Sequence, residues 1–313
     1  MKLIVTIDTE EDNWGSYDPT GNTVENIGYI REIQELFDKY NVKPTYLLTY
    51  PVATDDNSVS LLRGVMERGG CEIGTHCHPW NTPPFKEQTG PKNSMLCNLP
   101  SNLQYEKIRN LHETIRDRFD ITPLSFRCGR WGLSEQVLIN LTRLGYKIDT
   151  SVTPYTNWTA YYGPDMSRYT PEPFKFTNGK DNLDHPLLEI PATVGFLQSN
   201  FAASNLIFDM AGLFPFRSFR IRGILDMLKM VNKVWLSPEQ SDGKAMIALG
   251  KRMLKNKYQY LNMVFHSSTL KSGLTPFVKT RDDERKFLRR IEDFLIFSSD
   301  TGIESIKLCE AAN

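Results

Sequence analysis

The sequence predicts an α/β fold, one (β/α) barrel of parallel strands each followed by a helix, on three observations. Short apolar runs alternate with stretches of helical period along the chain, as in a parallel sheet covered by crossover helices. About seven such units fit into 313 residues, which suits a single barrel domain better than two domains. No internal repeat and no low-complexity linker divides them.

The elements follow in order. "KLIVTID" (2–8) reads as a buried strand. Asn22, with Glu25 three residues on, has the form of a helix cap, and Ile27, Ile30, Ile33, Phe37 and Tyr40 mark one face behind it. "PTYLLT" (44–49) is the second strand, and "SVSLLRGVMERG" (58–69) the second helix, stopped by glycine. "CEIGTH" (71–76) is the third strand, followed by a proline-rich loop and a helix over Tyr105–Phe119. "LSFR" (124–127) is strand again, and Ser134 caps a helix that stops at Gly145. "YKIDTS" (146–151), "LLEIPAT" (187–193) and "YLNMVFH" (260–266) complete the strands, and a long helix runs from Asp282 to Phe297. The stretches 152–186 and 200–256 are irregular and read as loops and helices inserted between strands.

Composition excludes several classes. Lys+Arg and Asp+Glu both number 37, so the chain lacks the basic footprint of a nucleic-acid binder. The apolar run after Lys2 is too short for a secretion signal. No window approaches the roughly 18 apolar residues of a transmembrane span. Cys71, Cys77, Cys97, Cys128 and Cys309 are odd in number and lack C-x-x-C spacing, which points to a reducing, cytoplasmic setting.

Polar residues gather at strand ends. Asp8 closes the first strand with Glu10 and Glu11 behind it; His76 and His78 close the third, Arg127 the fourth, Asp149 the fifth and His266 the seventh. In a parallel barrel all those ends open on one face. Two imidazoles and a carboxylate suffice to hold a catalytic divalent ion with an open position. Residues i and i+2 of an extended segment point the same way, so His76 and His78 can share an ion. Asp8 and Glu10 likewise face together, one as ligand and the other as base. His266 is the candidate for the acid that protonates a leaving group. Cys77 would be a soft ligand by type, but ligation by both neighbours turns it to the opposite face.

"TIDTEED", "EIGTHCHPW", "FRCGRWG" and "MVFHSS" come in the order of the motifs of the polysaccharide deacetylases, the NodB-homology group or carbohydrate esterase family 4. The chain resembles that family from residue 3 to about 300, and is most similar to its H-x-H-P-W branch linked to lipopolysaccharide biosynthesis. The resemblance implies a distorted (β/α)7 barrel that removes acetyl groups from sugars with one divalent metal, zinc by preference. It makes Asp8 the base, His76 and His78 metal ligands, Arg127 the residue that orients the base, and His266 the acid. Thr9 occupies the family's usual metal-carboxylate position, which shifts that role to Glu10, with Glu11 and Asp12 as alternatives. Trp80 stands where the usual second histidine lies, so His78 substitutes. Arg130 replaces a tyrosine whose backbone N–H helps bind the oxyanion, a role any side chain permits. Asp149 is the expected carboxylate partner of His266. Trp80 and Trp131, with Trp14 and Trp158, offer a sugar platform.

Other features have plainer readings. His112 lies within a helix and His185 before a proline, both as structural or surface residues; "DDER" (282–285) suits a helix N-terminus. In residues 206–235, Arg217, Arg220, Arg222, Lys229 and Lys233 interleave with apolar side chains. A helix packed on the barrel with a solvated basic side is preferred to a membrane-surface segment, because Asp209 and Asp226 interrupt the charge. The leading expectation is a metal-dependent deacetylase of an acetylated amino sugar, free or nucleotide- or lipid-linked, in surface-polysaccharide biosynthesis. The competing ones are a C–N hydrolase of small amides such as ureides and a non-catalytic carbohydrate-binding barrel.

Overall fold

A computed structural model describes residues 1–177, 186–213 and 221–312. His185, Arg217 and Arg220 therefore lie outside the described residues. Among the described residues seven parallel strands lie side by side, β1 (Lys2–Thr9), β2 (Thr45–Leu48), β3 (Glu72–Cys77), β4 (Ser125–Cys128), β5 (Ile148–Asp149), β6 (Leu187–Glu189) and β7 (Tyr260–His266), and the short strand Glu304–Ser305 also pairs parallel with β1. The seven stand in the order β7-β1-β2-β3-β4-β5-β6, a curled half-barrel with helices outside. The strand Phe174–Phe176 adds antiparallel to β6 at the edge.

Alternation along β1 sorts its side chains. Leu3, Val5 and Ile7 join the large apolar layer shared with the surrounding helices, including Ile30, Ile33 and Phe37 of the helix Ile30–Lys39. Ile4 faces inward and meets Ile148, Ile190, Leu308 and Ala311, a small apolar plug. Thr6 and Asp8 continue that inward face. Above the plug, Thr6 Oγ1 donates to Asn262 Oδ1 at 3.0 Å, and Asn262 Nδ2 donates to Thr150 Oγ1 at 2.8 Å. The barrel thus changes from apolar to polar towards its C-terminal mouth.

The seam between β6 and β7 is where the barrel is distorted. The sixth strand was expected to reach Thr193 but ends at Glu189, and Pro191 interrupts a ladder there. Thr193 bridges the seam with one backbone bond and one side-chain bond: Thr193 N donates to Asn262 O at 3.1 Å, and Asn262 N donates to Thr193 Oγ1 at 2.8 Å.

Helix starts follow local chemistry. Ser134 caps Glu135–Arg143, and Thr280 with Asp283 forms a capping box on Arg281–Asp300, so "DDER" is a helix N-terminus. The first helix departs from expectation. Asn22 is not its cap; a 3-10 turn, Glu25–Tyr29, precedes Ile30–Lys39. The carboxylate of Asp12 accepts from Glu25 N at 2.7 Å and Asn26 N at 3.0 Å, a charge suited to free N–H groups.

The irregular stretches hold small elements. Thr156–Asn157 pairs antiparallel with Asp165–Met166. Val194–Phe196 pairs antiparallel with Lys233–Trp235, and between those two strands lie the helices Phe201–Met210 and Ile221–Met227. Among the described residues no helix is long and apolar enough to cross a membrane.

Candidate metal centre and catalytic cleft

Strand register brings the site together. β1 and β7 pair so that Asp8 stands beside His266, and β3 and β4 pair so that His76 stands beside Arg127. All four side chains thereby project at the same mouth.

Glu10, His76 and His78, all buried, bring one potential ligand atom each within 4.8 Å of one another. His78 Nε2 lies 3.5 Å from Glu10 Oε2. The outer nitrogens are held from behind: His76 Nδ1 lies 3.2 Å from Arg127 O, and His78 Nδ1 lies 3.2 Å from Glu11 Oε1. Such partners set the tautomer that leaves Nε2 free to ligate. Ser268 Oγ donates to Glu10 Oε1 at 3.2 Å, and Glu10 N donates to Ser267 Oγ at 3.0 Å. Burial pushes the Glu10 carboxyl up to about 7 and the His76 imidazole down to about 3, so His76 is a neutral nitrogen donor. The donor set, N2O with its outer contacts satisfied, fits a divalent ion. Of the neighbouring carboxylates, Asp12 is committed to the N–H groups of Glu25 and Asn26 and Glu11 to the back of His78.

Tight packing holds the histidines. A Cβ on Gly129 would stand 2.3 Å from His78 Cδ2 and 2.7 Å from Cys77 O, so only glycine lets the loop after β4 pass that ring. Trp80 stacks on the His78 ring at 4.0 Å. The fully buried Lys107 donates to the carbonyls of Pro79 (2.8 Å), Thr82 (2.6 Å) and Pro84 (2.8 Å), pinning the segment behind the pair. Cys77 is buried in the outer apolar layer, away from the centre.

Asp8 sits beside this group. Arg127 Nη1 donates to Asp8 Oδ1 at 2.6 Å, and Arg127 is fixed in turn by Thr6 Oγ1 at 2.6 Å and Thr150 O at 2.9 Å. Burial opposes the charge on Asp8, but Arg127, then His76 and His266, outweigh it and hold the carboxyl at about 2. The second carboxylate oxygen lies 3.9 Å from His76 Nε2 and 3.7 Å from His266 Nε2.

Glu239, not Asp149, holds the His266 ring: Glu239 Oε2 lies 3.0 Å from His266 Nδ1, and Glu239 Oε1 accepts from His266 N at 2.9 Å and from Thr269 Oγ1 at 2.6 Å. Burial works against the charged imidazole, yet Glu239, Glu10 and Asp8 together raise it to about 10. Asp149 instead accepts from Ser151 Oγ at 2.7 Å and stands in register with Glu189 on β6. Burial raises both carboxyls, Glu189 well above its usual range. Asp149 is engaged by Ser151 and Glu189 near Arg127 rather than by the His266 ring.

The loop after β4 carries Arg130 and Trp131 at φ 53° and 60°, a left-handed pair rare for non-glycine residues. The Arg130 side chain is drawn to Pro91 O at 3.1 Å and to Ser94 Oγ, and lies over the Tyr17 ring. A cleft of about 390 Å³ opens above the carboxylates, with Trp131, Trp158, Tyr161 and Trp14 in its wall. Trp14 meets His266 edge-on at 4.8 Å. Trp80, only 6% exposed, backs His78 more than it faces the cleft. His112 packs edge-on against Tyr146, a structural place.

The sequence matches no protein-family profile and no curated protein. Solved structures match its fold along nearly all its length. A protein of Pseudomonas aeruginosa PAO1 described as a probable polysaccharide deacetylase has a TM-score of 0.54 at 11% identity, with 99% of this chain and 89% of that one covered. A Mycobacterium smegmatis protein described in equivalent terms gives 0.54 at 12%, covering 99% and 89%. The chain has the fold of the polysaccharide deacetylases. Puue allantoinase is similar to the same degree, 0.56 at 11%, covering 99% and 88%, so the barrel alone does not name the substrate.

The Glu239–His266 contact escaped sequence reasoning. Glu239 lies in a loop within the irregular 200–256 stretch, at no strand end. The hydroxyls of "HSST" after His266 carried the available signal, since Ser267, Ser268 and Thr269 each bind a site carboxylate residue.

Proposed function

We propose that this chain is a metal-dependent hydrolase that removes the acetyl group of an acetylated amino sugar, in the biosynthesis of a surface polysaccharide such as lipopolysaccharide. The observation that carries the reading is Asp8 held between Arg127 and His266 while facing the Glu10–His76–His78 group. Glu10, His76 and His78 would hold the ion, and zinc suits this donor set. When bound, it supplies a Lewis acid that acidifies water and polarises the acetyl carbonyl.

The chain's own residues supply the rest. Asp8, ionised because Arg127 stabilises its charge, takes the proton of the attacking water. The backbone N–H of Arg130 offers a donor to the carbonyl oxygen as charge develops there, and its side chain is held away by Pro91 and Ser94. His266, kept protonated by Glu239, gives its proton to the departing amine. Trp131, Trp158 and Trp14 present flat apolar surface to a sugar ring. Asp149 acts from behind, with Glu189, on Arg127. Five unpaired cysteines suit a reducing compartment, the cytoplasm.

Acetate release from N-acetylated sugars, free, nucleotide-linked and lipid-linked, by metal-replete protein tests the reading, with Asp8→Asn as control. Turnover of one such class, lost in the variant, is expected. Turnover of ureides without sugars, or sugar binding without acetate release, overturns it.

A further inference from the structure

Asp149 and Glu189 are two buried carboxyls that take no proton in the proposed reaction. They stand in register on β5 and β6, 0% and 1% exposed, and within hydrogen-bond reach of each other. Three of their four oxygens have donors. Asp149 Oδ1 accepts from Ser151 Oγ at 2.7 Å and Asp149 Oδ2 from Ser151 N at 3.2 Å, while Glu189 Oε1 accepts from Val152 N at 2.9 Å. Glu189 Oε2 is buried and has no donor among the described residues. Arg127 does not fill the place, because its guanidinium is spent on Asp8, Thr6 and Thr150.

Two ionised carboxylates side by side and out of water repel each other, and a buried charged oxygen without a donor adds its own cost. One proton on Glu189 Oε2, donated to Asp149, removes both penalties. Every oxygen is then engaged and the pair carries a single charge. Burial acts in the same direction on both groups. The charged or titratable neighbours facing the pair are Arg127 and the Cys128 thiol, both on β4.

One hydroxyl ties the pair to the cleft. Ser151 Oγ gives its proton to Asp149 and accepts from Cys128 N at 2.8 Å. Cys128 ends β4, and the chain goes on through Gly129, which passes the His78 ring, to Arg130 at φ 53°. Left-handed backbone in a non-glycine residue is strained and persists only where its surroundings over-determine it. We propose that Asp149 and Glu189 share one proton and, through Ser151, position the turn that carries the Arg130 N–H. Both are thereby positioning residues. The use of that N–H on the acetyl carbonyl rests on the reaction proposed above; the shared proton and the hold on the turn stand apart from it.

Infrared spectra of the full chain with zinc added, at neutral pH, test the proton. Glu189→Gln should lose a protonated-carboxyl C=O band, one that shifts in heavy water; loss of an ionised-carboxylate band instead overturns the proposal. Amide hydrogen exchange over residues 128–131 tests the hold on the turn. Exchange at least about tenfold faster is expected in Ser151→Ala and in Glu189→Leu, with Glu189→Gln near wild type because its amide donates where the acid did. Unchanged exchange in Ser151→Ala overturns the positioning, and that variant decides even where Glu189→Leu does not fold. With acetate release as the assay, Ser151→Ala should lower kcat about tenfold at unchanged KM, since the donor meets charge that develops only in the transition state. An unchanged kcat overturns the link to Arg130. Wild type that releases no acetate overturns the proposed reaction instead, and the infrared and exchange results then decide the proton and the turn on their own.

Discussion

Glu239 Oε2 lies 3.0 Å from Nδ1 of His266, and Glu239 also takes the backbone N–H of that histidine at 2.9 Å. One carboxylate so fixes both the ring and its charge. With Glu239 in place His266 is raised from 6.5 to about 10. The folded value exceeds the unfolded one, so the charged ring's stabilisation is present in full below 6.5 and is lost as pH rises through about 10. Glu239→Gln keeps the shape and removes the charge. The alkaline limb of kcat/KM should move down towards neutrality, and the stability difference between variant and wild type should shrink above about pH 10. A pH–rate profile with the alkaline limb unmoved would show that Glu239 does not charge the acid.

Asp8 has the opposite sign. Its carboxyl is lowered from 3.8 to about 2, so its contribution to stability is present above 3.8 and lost as pH falls through about 2. Asp8→Asn should cost about 10²–10⁴-fold in kcat, with metal content unchanged by elemental analysis. It should also destabilise the fold, because Arg127 is left buried without its counter-charge.

Glu10 and Glu11 should separate by readout. Glu10→Gln removes a ligand, and metal should be lost on dialysis. Glu11→Gln removes only the support behind His78, and metal affinity should fall by about 10–100-fold while the ion is still bound at saturation. Dialysis of wild type against a chelator should abolish acetate release, and zinc should restore it. Titration of metal binding in the two variants checks the ranking; equal affinities would contradict it.

Gly129→Ala tests the packing beside His78. The new Cβ would meet His78 Cδ2 at 2.3 Å and Cys77 O at 2.7 Å, and backbone cannot yield cheaply. A loss of about 1–3 kcal/mol in denaturant unfolding is expected, with metal stoichiometry reduced. Gly64, where a Cβ meets nothing within 4 Å, serves as the control substitution.

The sequence by itself determined the strands and what stands at their ends. Period-2 alternation separates Leu3, Val5 and Ile7 from Ile4, Thr6 and Asp8, and the i, i+2 rule aligns His76 with His78 and turns Cys77 away, because these are consequences of extended backbone alone. Local cap chemistry at Ser134 and the acids of "DDER" at the start of the last helix were legible for the same reason. What only the tertiary structure decided are contacts between segments far apart in the chain. Glu10 was separated from Glu11 and Asp12 once Asp12 met the helix at Glu25 and Glu11 met His78. Glu239 displaced Asp149 as partner of His266, because a loop's path depends on what packs beneath it and no backbone period predicts it. The exposure of Leu206, Met210, Met227 and Leu228 was likewise hidden: periodicity shows that a helix has an apolar face, and only the folded chain shows whether anything covers it.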